Sequence, residues 1–350
     1  MLTGVGPLVP DAEVPVSPLV SVVMPCRDAE TTVGPAVRCL LAQTLGDLEV
    51  LLIDDGSRDR SVLAAREAAD GDPRLRVLPR PREGLVAALN AGLEAARGTF
   101  VARMDADDLA PADRLERQVA WADRHPDWWV IGGLVQCFPR EEMTEGMRRY
   151  EDWLNGVRSP EEVRRDLFVE SPLAHPSVIY RRDRVLGIGG YRDGDFPEDY
   201  DLWLRVFEAG GPMGKCDALV LQWRDRPDRA TRTDPRYGPE AFRRLKAEVL
   251  ARTFLRGGAC QVWGAGPEGR RWRRVLRESG VTVRRFFDID PRKVGRRLGH
   301  GEPVLPIEDL PRWRDCPLLV AVGAPGARDQ VRGHLQRLGW VETVDFRCVQ

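Results

Sequence analysis

The chain of 350 residues is 43% hydrophobic, and its 53 Lys and Arg nearly balance 54 Asp and Glu, leaving a formal net charge of −1. Such a length houses two domains with their own cores, and the near-zero balance gives no reason to expect a nucleic-acid or acidic partner. No window approaches the ~20 apolar residues of a membrane span, and seven cysteines without a CxxC pair suit a reducing cytosol, not a disulfide framework.

Residues 1–18 are rich in Pro and Val but lack a basic start and a continuous apolar run, the pattern of a loose tail and not of a signal peptide. From there, short apolar runs bounded by turn residues fall at 19–24, 48–53, 75–78 and 100–104 and predict strands. Helical patterns lie between them. The first covers 32–43, with Val33, Val37, Leu40 and Leu41 on one stripe and Pro35 confined to the first turn. Others cover 57–69 and 85–96, the latter with Leu85, Ala88, Leu89, Gly92 and Leu93 on one face. This alternation predicts an α/β fold with a parallel, doubly wound sheet.

In such a sheet ligands bind beyond the carboxyl ends of the strands. Those ends carry Pro25-Cys26-Arg27-Asp28, Asp54-Asp55-Gly56-Ser57 and Asp105-Ala106-Asp107-Asp108, three polar clusters on one edge. Along an extended segment Asp105 and Asp107 point the same way, and two like charges side by side call for a cation. Hard oxygen ligands favour Mg²⁺ or Mn²⁺, which is commonly shared with substrate phosphates. The competing reading is a solvated acidic turn before a helix at Asp113; the convergence of three clusters on one crevice favours function.

Further on, Glu198-Asp199-Tyr200-Asp201 opens a helix whose apolar face is Leu202, Val206 and Phe207. Basic residues gather from Trp223-Arg224-Asp225-Arg226 through Arg229 and Arg232, suited to bidentate phosphate contacts or to plain solvated charge. His175 has two readings, a structural histidine beside Pro176 or part of a binding surface.

Val20-Ser21-Val22-Val23-Met24-Pro25, Val50-Leu51-Leu52-Ile53-Asp54-Asp55-Gly56-Ser57, Ala102-Arg103-Met104-Asp105-Ala106-Asp107-Asp108, His175-Pro176-Ser177-Val178 and Phe196-Pro197-Glu198-Asp199-Tyr200-Asp201-Leu202-Trp203-Leu204-Arg205 stand in this order. Together they resemble the signature of family-2 glycosyltransferases with the GT-A type fold, a doubly wound, mostly parallel sheet, over about residues 19–235. The resemblance implies an inverting transfer of a sugar from a nucleotide-sugar donor to a glycan or lipid-linked acceptor, in bacterial surface polysaccharide or a related glycoconjugate. It implies that Asp55 bonds the nucleotide base, with Pro25, Arg27 and Asp28 lining the same pocket. It places Asp105, by the same resemblance, near the ribose and a Mn²⁺ or Mg²⁺ ion that Asp107 is expected to bind. It further implies that Asp199 is the catalytic base with Glu198 beside it, that His175 and Trp203 line the acceptor side, and that Arg232 belongs to a late loop over the diphosphate. Relatives often carry Tyr and Asn where this chain has Arg27 and Asp28. Acceptor recognition is expected within 136–173, where Ser159-Pro160-Glu161-Glu162 predicts a capped helix start.

A basic helical linker is expected over 236–256, and a second unit over 257–350. Cys260 to Gly269 predicts a strand leading into Gly264, Gly266 and Gly269 of a GxGxxG turn, and a second strand over 281–287 ends at Asp288, close to the ~20-residue offset of a ribose-binding acid. A third strand, 318–322, precedes Gly323-Ala324-Pro325-Gly326 and a helix to 338. About ninety residues hold one mononucleotide-binding half and no substrate domain, which argues against a complete dehydrogenase. The unit is similar to small Rossmann-like α/β modules of sugar acyltransferases and of some bacterial glycosyltransferases. Two readings stay open: packing or homodimerisation without cofactor, and binding of NAD or another nucleotide. Other function classes are a nucleotide-sugar oxidoreductase using the GxGxxG turn and a non-catalytic scaffold. A cytoplasmic location is expected, with peripheral membrane contact through arginine-rich surfaces.

Overall fold

The computed structural model describes residues 17–226, 229–324 and 326–350. Most of the expected tail, as far as residue 16, and Pro325 of the late turn lie outside the described residues.

The first sheet has seven strands: β1 (Val20–Cys26), β2 (Leu48–Asp55), β3 (Leu75–Arg80), β4 (Phe100–Arg103), β5 (Val130–Phe138), β6 (Ile179–Arg181) and β7 (Met213–Arg224), in the order β3-β2-β1-β4-β6-β5-β7. β1 to β4 are parallel, and β6 runs antiparallel between β4 and β5. β1 and β2 are buried at every position, as apolar strands covered on both faces must be. Period-2 alternation then sends Val22, Met24, Val50 and Leu52 to one core, beside Val37 and Leu40 of helix Val33–Leu41. Val23, Leu51 and Ile53 face the other core, beside Leu89 and Leu93 of helix Leu85–Ala95. That helix sits close because of Gly92: a Cβ there would meet Val23 Cγ1 at 2.4 Å.

Two boundaries differ from expectation for local reasons. The helix expected from 57 begins at Ser61, because side chains claim the preceding amides: Asp54 Oδ1 accepts from Ser57 N at 3.1 Å and Asp28 Oδ1 from Arg58 N at 2.8 Å. β4 stops at Arg103, so Asp105 and Asp107 stand in a turn, not on an extended strand.

The second sheet comprises β8 (Ala259–Trp263), β9 (Thr282–Asp288), β10 (Arg297–Leu298), β11 (Glu302–Pro306), β12 (Leu318–Val320) and β13 (Phe346–Cys348), in the order β10-β11-β9-β8-β12-β13. All neighbours are parallel except β10 and β11. The segment expected as a linker forms helix Pro239–Thr253, which buries Leu245, Ala247, Val249 and Leu250 in a cluster reaching from Val23 to Phe286. One continuous core therefore joins the two modules. Arginines complete the seam: half-buried Arg332 pairs with Asp166 and with Glu342 at 2.9 Å, and buried Arg347 donates to Arg164 O at 3.0 Å. Among the described residues no helix is long and apolar enough to cross a membrane.

Candidate active site

β1, β2 and β4 end on one edge, and a cavity of about 410 Å³ opens there, at the end of β4. It draws Asp105, Asp107 and Asp108 from the turn after β4, His175 from the segment before β6, Glu198 and Asp199 from the start of helix Glu198–Glu208, Arg224 from the end of β7, and Arg226, Arg229 and Arg232 from the chain following it. Six expected site residues thus share one space: Asp105, Asp107, His175, Glu198, Asp199 and Arg232.

One oxygen each of Asp105, Asp107 and Asp108 lies within 4.8 Å of the others. Asp108 was not expected in this set. Its Oδ1 accepts from Arg224 N at 2.7 Å, while its buried Oδ2 has no partner among the described residues. Burial, reinforced by Asp105 and Asp107, pushes the Asp108 carboxyl well above the usual range, and burial followed by the Asp105 charge raises Asp107. Crowded carboxylates with an orphaned buried oxygen are what a hard divalent cation relieves, so the donor set fits Mg²⁺ or Mn²⁺. Positive charge already leans on the cluster: Arg226 Nε lies 3.0 Å from Asp107 Oδ2, and buried Arg103 pairs with Asp105.

Asp199 stands in the first helical turn, partly open to the cavity, with Oδ1 accepting from Tyr200 N at 2.7 Å. Burial, and then the charge of Glu198, push its carboxyl up to about 7. Glu198 is buried; its Oε2 accepts from Tyr237 Oη at 2.6 Å and its Oε1 lies 4.0 Å from His175 Nδ1. His175 Nε2 lies 2.8 Å from Tyr191 Oη, and burial together with Arg103 holds the imidazole well below its usual range, so it is neutral at pH 7. Trp203, expected on the acceptor side, is instead fully buried behind His175 with ring centroids 6.0 Å apart, and it does not line the cavity. Its burial is set by packing against His175, a residue of another segment, and not by its spacing from Asp199.

The remaining expected residues sit at the same edge but outside the lining. Asp55 Oδ1 accepts from Glu83 N at 2.8 Å and Gly84 N at 2.9 Å at the start of helix Leu85–Ala95, and its Oδ2 lies 3.4 Å from Arg27 Nη1. Asp28 pairs with Arg82 at 2.9 Å, and Pro25 is buried within β1. Within the lining, by contrast, Arg232 Nη2 is 2.8 Å from Asp225 Oδ2, and the Arg229 guanidinium lies 4.2 Å over the Trp223 ring.

Residues without a motif complete the lining: Met147 and Tyr150 of helix Glu145–Gly156, Glu170, and Tyr237. The first three fall within the span expected to recognise the acceptor, where Ser159 and Glu162 form the expected capping box. Tyr237 carried no sequence signal at all.

In the second module Gly264 takes φ +116°, and a Cβ on Gly269 would meet Gly264 O at 1.8 Å, which accounts for both glycines. Asp288 Oδ2 accepts from Ala265 N at 2.9 Å and lies 3.0 Å from Lys293 Nζ. This carboxylate holds the glycine turn itself, at the rim of a cavity of about 600 Å³ that Gly266 and His334 also line.

A family model described as Glycosyl transferase family 2 matches residues 21–186. The amylovoran biosynthesis glycosyltransferase AmsE of Erwinia amylovora is 31% identical over 183 residues, 52% of this chain and 66% of that protein. EpsE of Bacillus subtilis (strain 168) is 32% identical over 198 residues, 55% of this chain and 68% of that protein. Among solved structures, S. aureus TarS 1–349 in complex with UDP-GlcNAc aligns with TM-score 0.53 and 17% identity over 74% of this chain and 71% of that one, a likeness of fold. The chain thus spans about two thirds of these relatives' length. On its strand order, its ordered motifs and these matches, the chain has a GT-A type fold and belongs to glycosyl transferase family 2.

Proposed function

We propose that this chain is an inverting, metal-dependent glycosyltransferase that moves a sugar from a nucleoside-diphosphate donor to a hydroxyl of a glycan or lipid-linked acceptor. The observation that carries this reading is the pairing, in one cavity, of an acid cluster suited to a diphosphate-bound cation with a carboxylate that titrates at about 7. A base of that pKa is half ionised near neutrality, where proton abstraction is most effective.

In this mechanism Asp199 takes the proton of the acceptor hydroxyl as its oxygen bonds to the anomeric carbon, opposite the departing nucleoside diphosphate. The bond from that carbon to the phosphate oxygen breaks, and its electron pair leaves with the diphosphate. Held by Asp105, Asp107 and Asp108, a divalent cation would offset this charge, so no general acid is required. Arg229 and Arg232 face the same space and add guanidinium donors for phosphate oxygens. Glu198, engaged by Tyr237, adds its charge to the burial that raises Asp199.

A fold neighbour captured with UDP-GlcNAc and a relative named for amylovoran biosynthesis make UDP-sugars and bacterial polysaccharide intermediates the first substrates to test. Thermal melting with UDP, GDP and dTDP, each with and without Mn²⁺, followed by turnover of the matching nucleotide sugars, tests the reading. Stabilisation by one nucleotide only with Mn²⁺ is expected; unchanged turnover in EDTA overturns metal dependence.

A further inference from the structure

The cavity at Asp199 does not end at the catalytic carboxylates. Glu170, Tyr237 and Phe242 line it and also line a second cavity of about 520 Å³, so the two spaces adjoin at these three residues. Both modules enclose this second space. Helix Pro239–Thr253 supplies Phe242 and Lys246, and the chain beyond β12 supplies Gly323, Ala324 and Arg328.

Its cations differ in how far the protein satisfies them. Arg243 is neutralised by Glu240 at 2.5 Å and Glu268 at 2.9 Å. Lys246 is only 6% exposed, yet among the described residues its ammonium has one hydrogen-bond partner, Val169 O at 2.7 Å, and no carboxylate in ion-pair range. An ammonium offers three donors; this one spends a single donor on a carbonyl and lies 5.8 and 5.9 Å from the Tyr200 and Phe242 ring centroids, so donors remain for a ligand. Arg328 Nε donates to Gln350 O at 3.0 Å, and both its Nη groups lack a protein partner among the described residues. Burial lowers Lys246 to about 8, which keeps it mostly protonated at neutral pH. Where the cavities meet, Glu170 accepts from Ser171 N at 2.9 Å and has no cation in ion-pair range among the described residues, a free acceptor suited to sugar hydroxyls.

We propose that the acceptor spans both modules: its reacting hydroxyl lies at Asp199, the following sugar passes Glu170 and Phe242, and an anionic group, phosphate or carboxylate, sits between Lys246 and Arg328. This rests on the transferase reading and assigns the second module part of the acceptor site. Charge-assisted hydrogen bonds of this kind are worth about 10- to 100-fold in affinity.

The test compares kcat/KM for three acceptors of one sugar: a neutral alkyl glycoside, the matching uronoside, and the alkyl pyrophosphate-linked form. One anionic arm is expected to exceed the neutral one by about 10-fold or more, and which arm does so names the source of the oxyanion. That ratio should collapse in Arg328→Glu and return in Arg328→Lys; if Arg328→Glu does not fold by circular dichroism, Lys246→Met is read in the same ratio. Equal kcat/KM across the arms, donor hydrolysis without transfer to any arm, or an unchanged ratio in the variant overturns the inference and leaves the transferase reading standing. Absence of any donor turnover removes the reading, and the inference with it.

Discussion

Tyr237 donates its hydroxyl proton to Glu198 Oε2 at 2.6 Å, which ties the segment after β7 to the first turn of the helix carrying Asp199. Two adjacent carboxylates are thereby given different work. Both line the cavity, but Glu198 is buried and engaged by the scaffold, while Asp199 is more open and among the described residues has only its Oδ1 occupied, by Tyr200 N.

Replacing Asp199 by Asn removes the proton acceptor while keeping the shape and the bond from Tyr200 N. Transfer is expected to fall by about 10²–10⁴-fold, with donor affinity within a factor of about 3 of wild type by calorimetry, since no donor contact is lost. Near-normal transfer by this variant would exclude Asp199 as the base.

The raised Asp199 pKa sets the pH profile. Below about 7 the carboxyl holds a proton and cannot accept another, so log kcat/KM should climb with unit slope and level off above pH 7. The same shift opposes folding: the native state binds this proton more tightly than the unfolded chain, so stability drops as pH rises from about 4 to 7, by up to about 4 kcal/mol. Asp199→Asn should therefore melt higher than wild type at pH 8, with the gap closing at pH 4.

Glu198→Gln separates positioning from catalysis. Removing the neighbouring charge, which adds to burial in raising Asp199, should move the acid limb of the profile to lower pH, with activity retained above it. Loss of transfer at every pH, equal to that of Asp199→Asn, would make Glu198 the base instead.

The acid cluster predicts the response to metal. Mn²⁺ at a hundredfold excess over its Kd should stabilise wild type by about 2.7 kcal/mol, read as a rise in Tm, and EDTA should reverse it. Asp107→Ala and Asp108→Asn should each lose most of that rise; Asp108→Asn keeps an Oδ1 to accept from Arg224 N, so the loss reports the orphaned Oδ2. An undiminished rise in both variants places the ion elsewhere.

Gly92 tests the packing beneath the site. Gly92→Ala drives a Cβ to 2.4 Å from Val23 Cγ1, so overpacking should cost about 1–3 kcal/mol in urea unfolding. The helix that starts at Leu85, beside the amides held by Asp55, would shift with it.

The amino-acid sequence by itself determined the first module's alternation of strands and helices, the edge on which Asp55, Asp105 and Asp107 gather, and Asp199 at a helix start. These follow from local rules, period-2 and period-3.6 burial and the geometry of parallel strands. Tertiary structure alone decided that Asp108 joins the acid cluster, since its exposure depends on where β7 lays Arg224, 116 residues away. It also decided that Trp203 turns into the core, that Tyr237 reaches Glu198, and that helix Pro239–Thr253, within the expected linker 236–256, is a strut buried by both modules. Each of those outcomes is a contact between segments far apart in the chain, and side-chain burial set by distant partners leaves no periodic trace in the residues themselves.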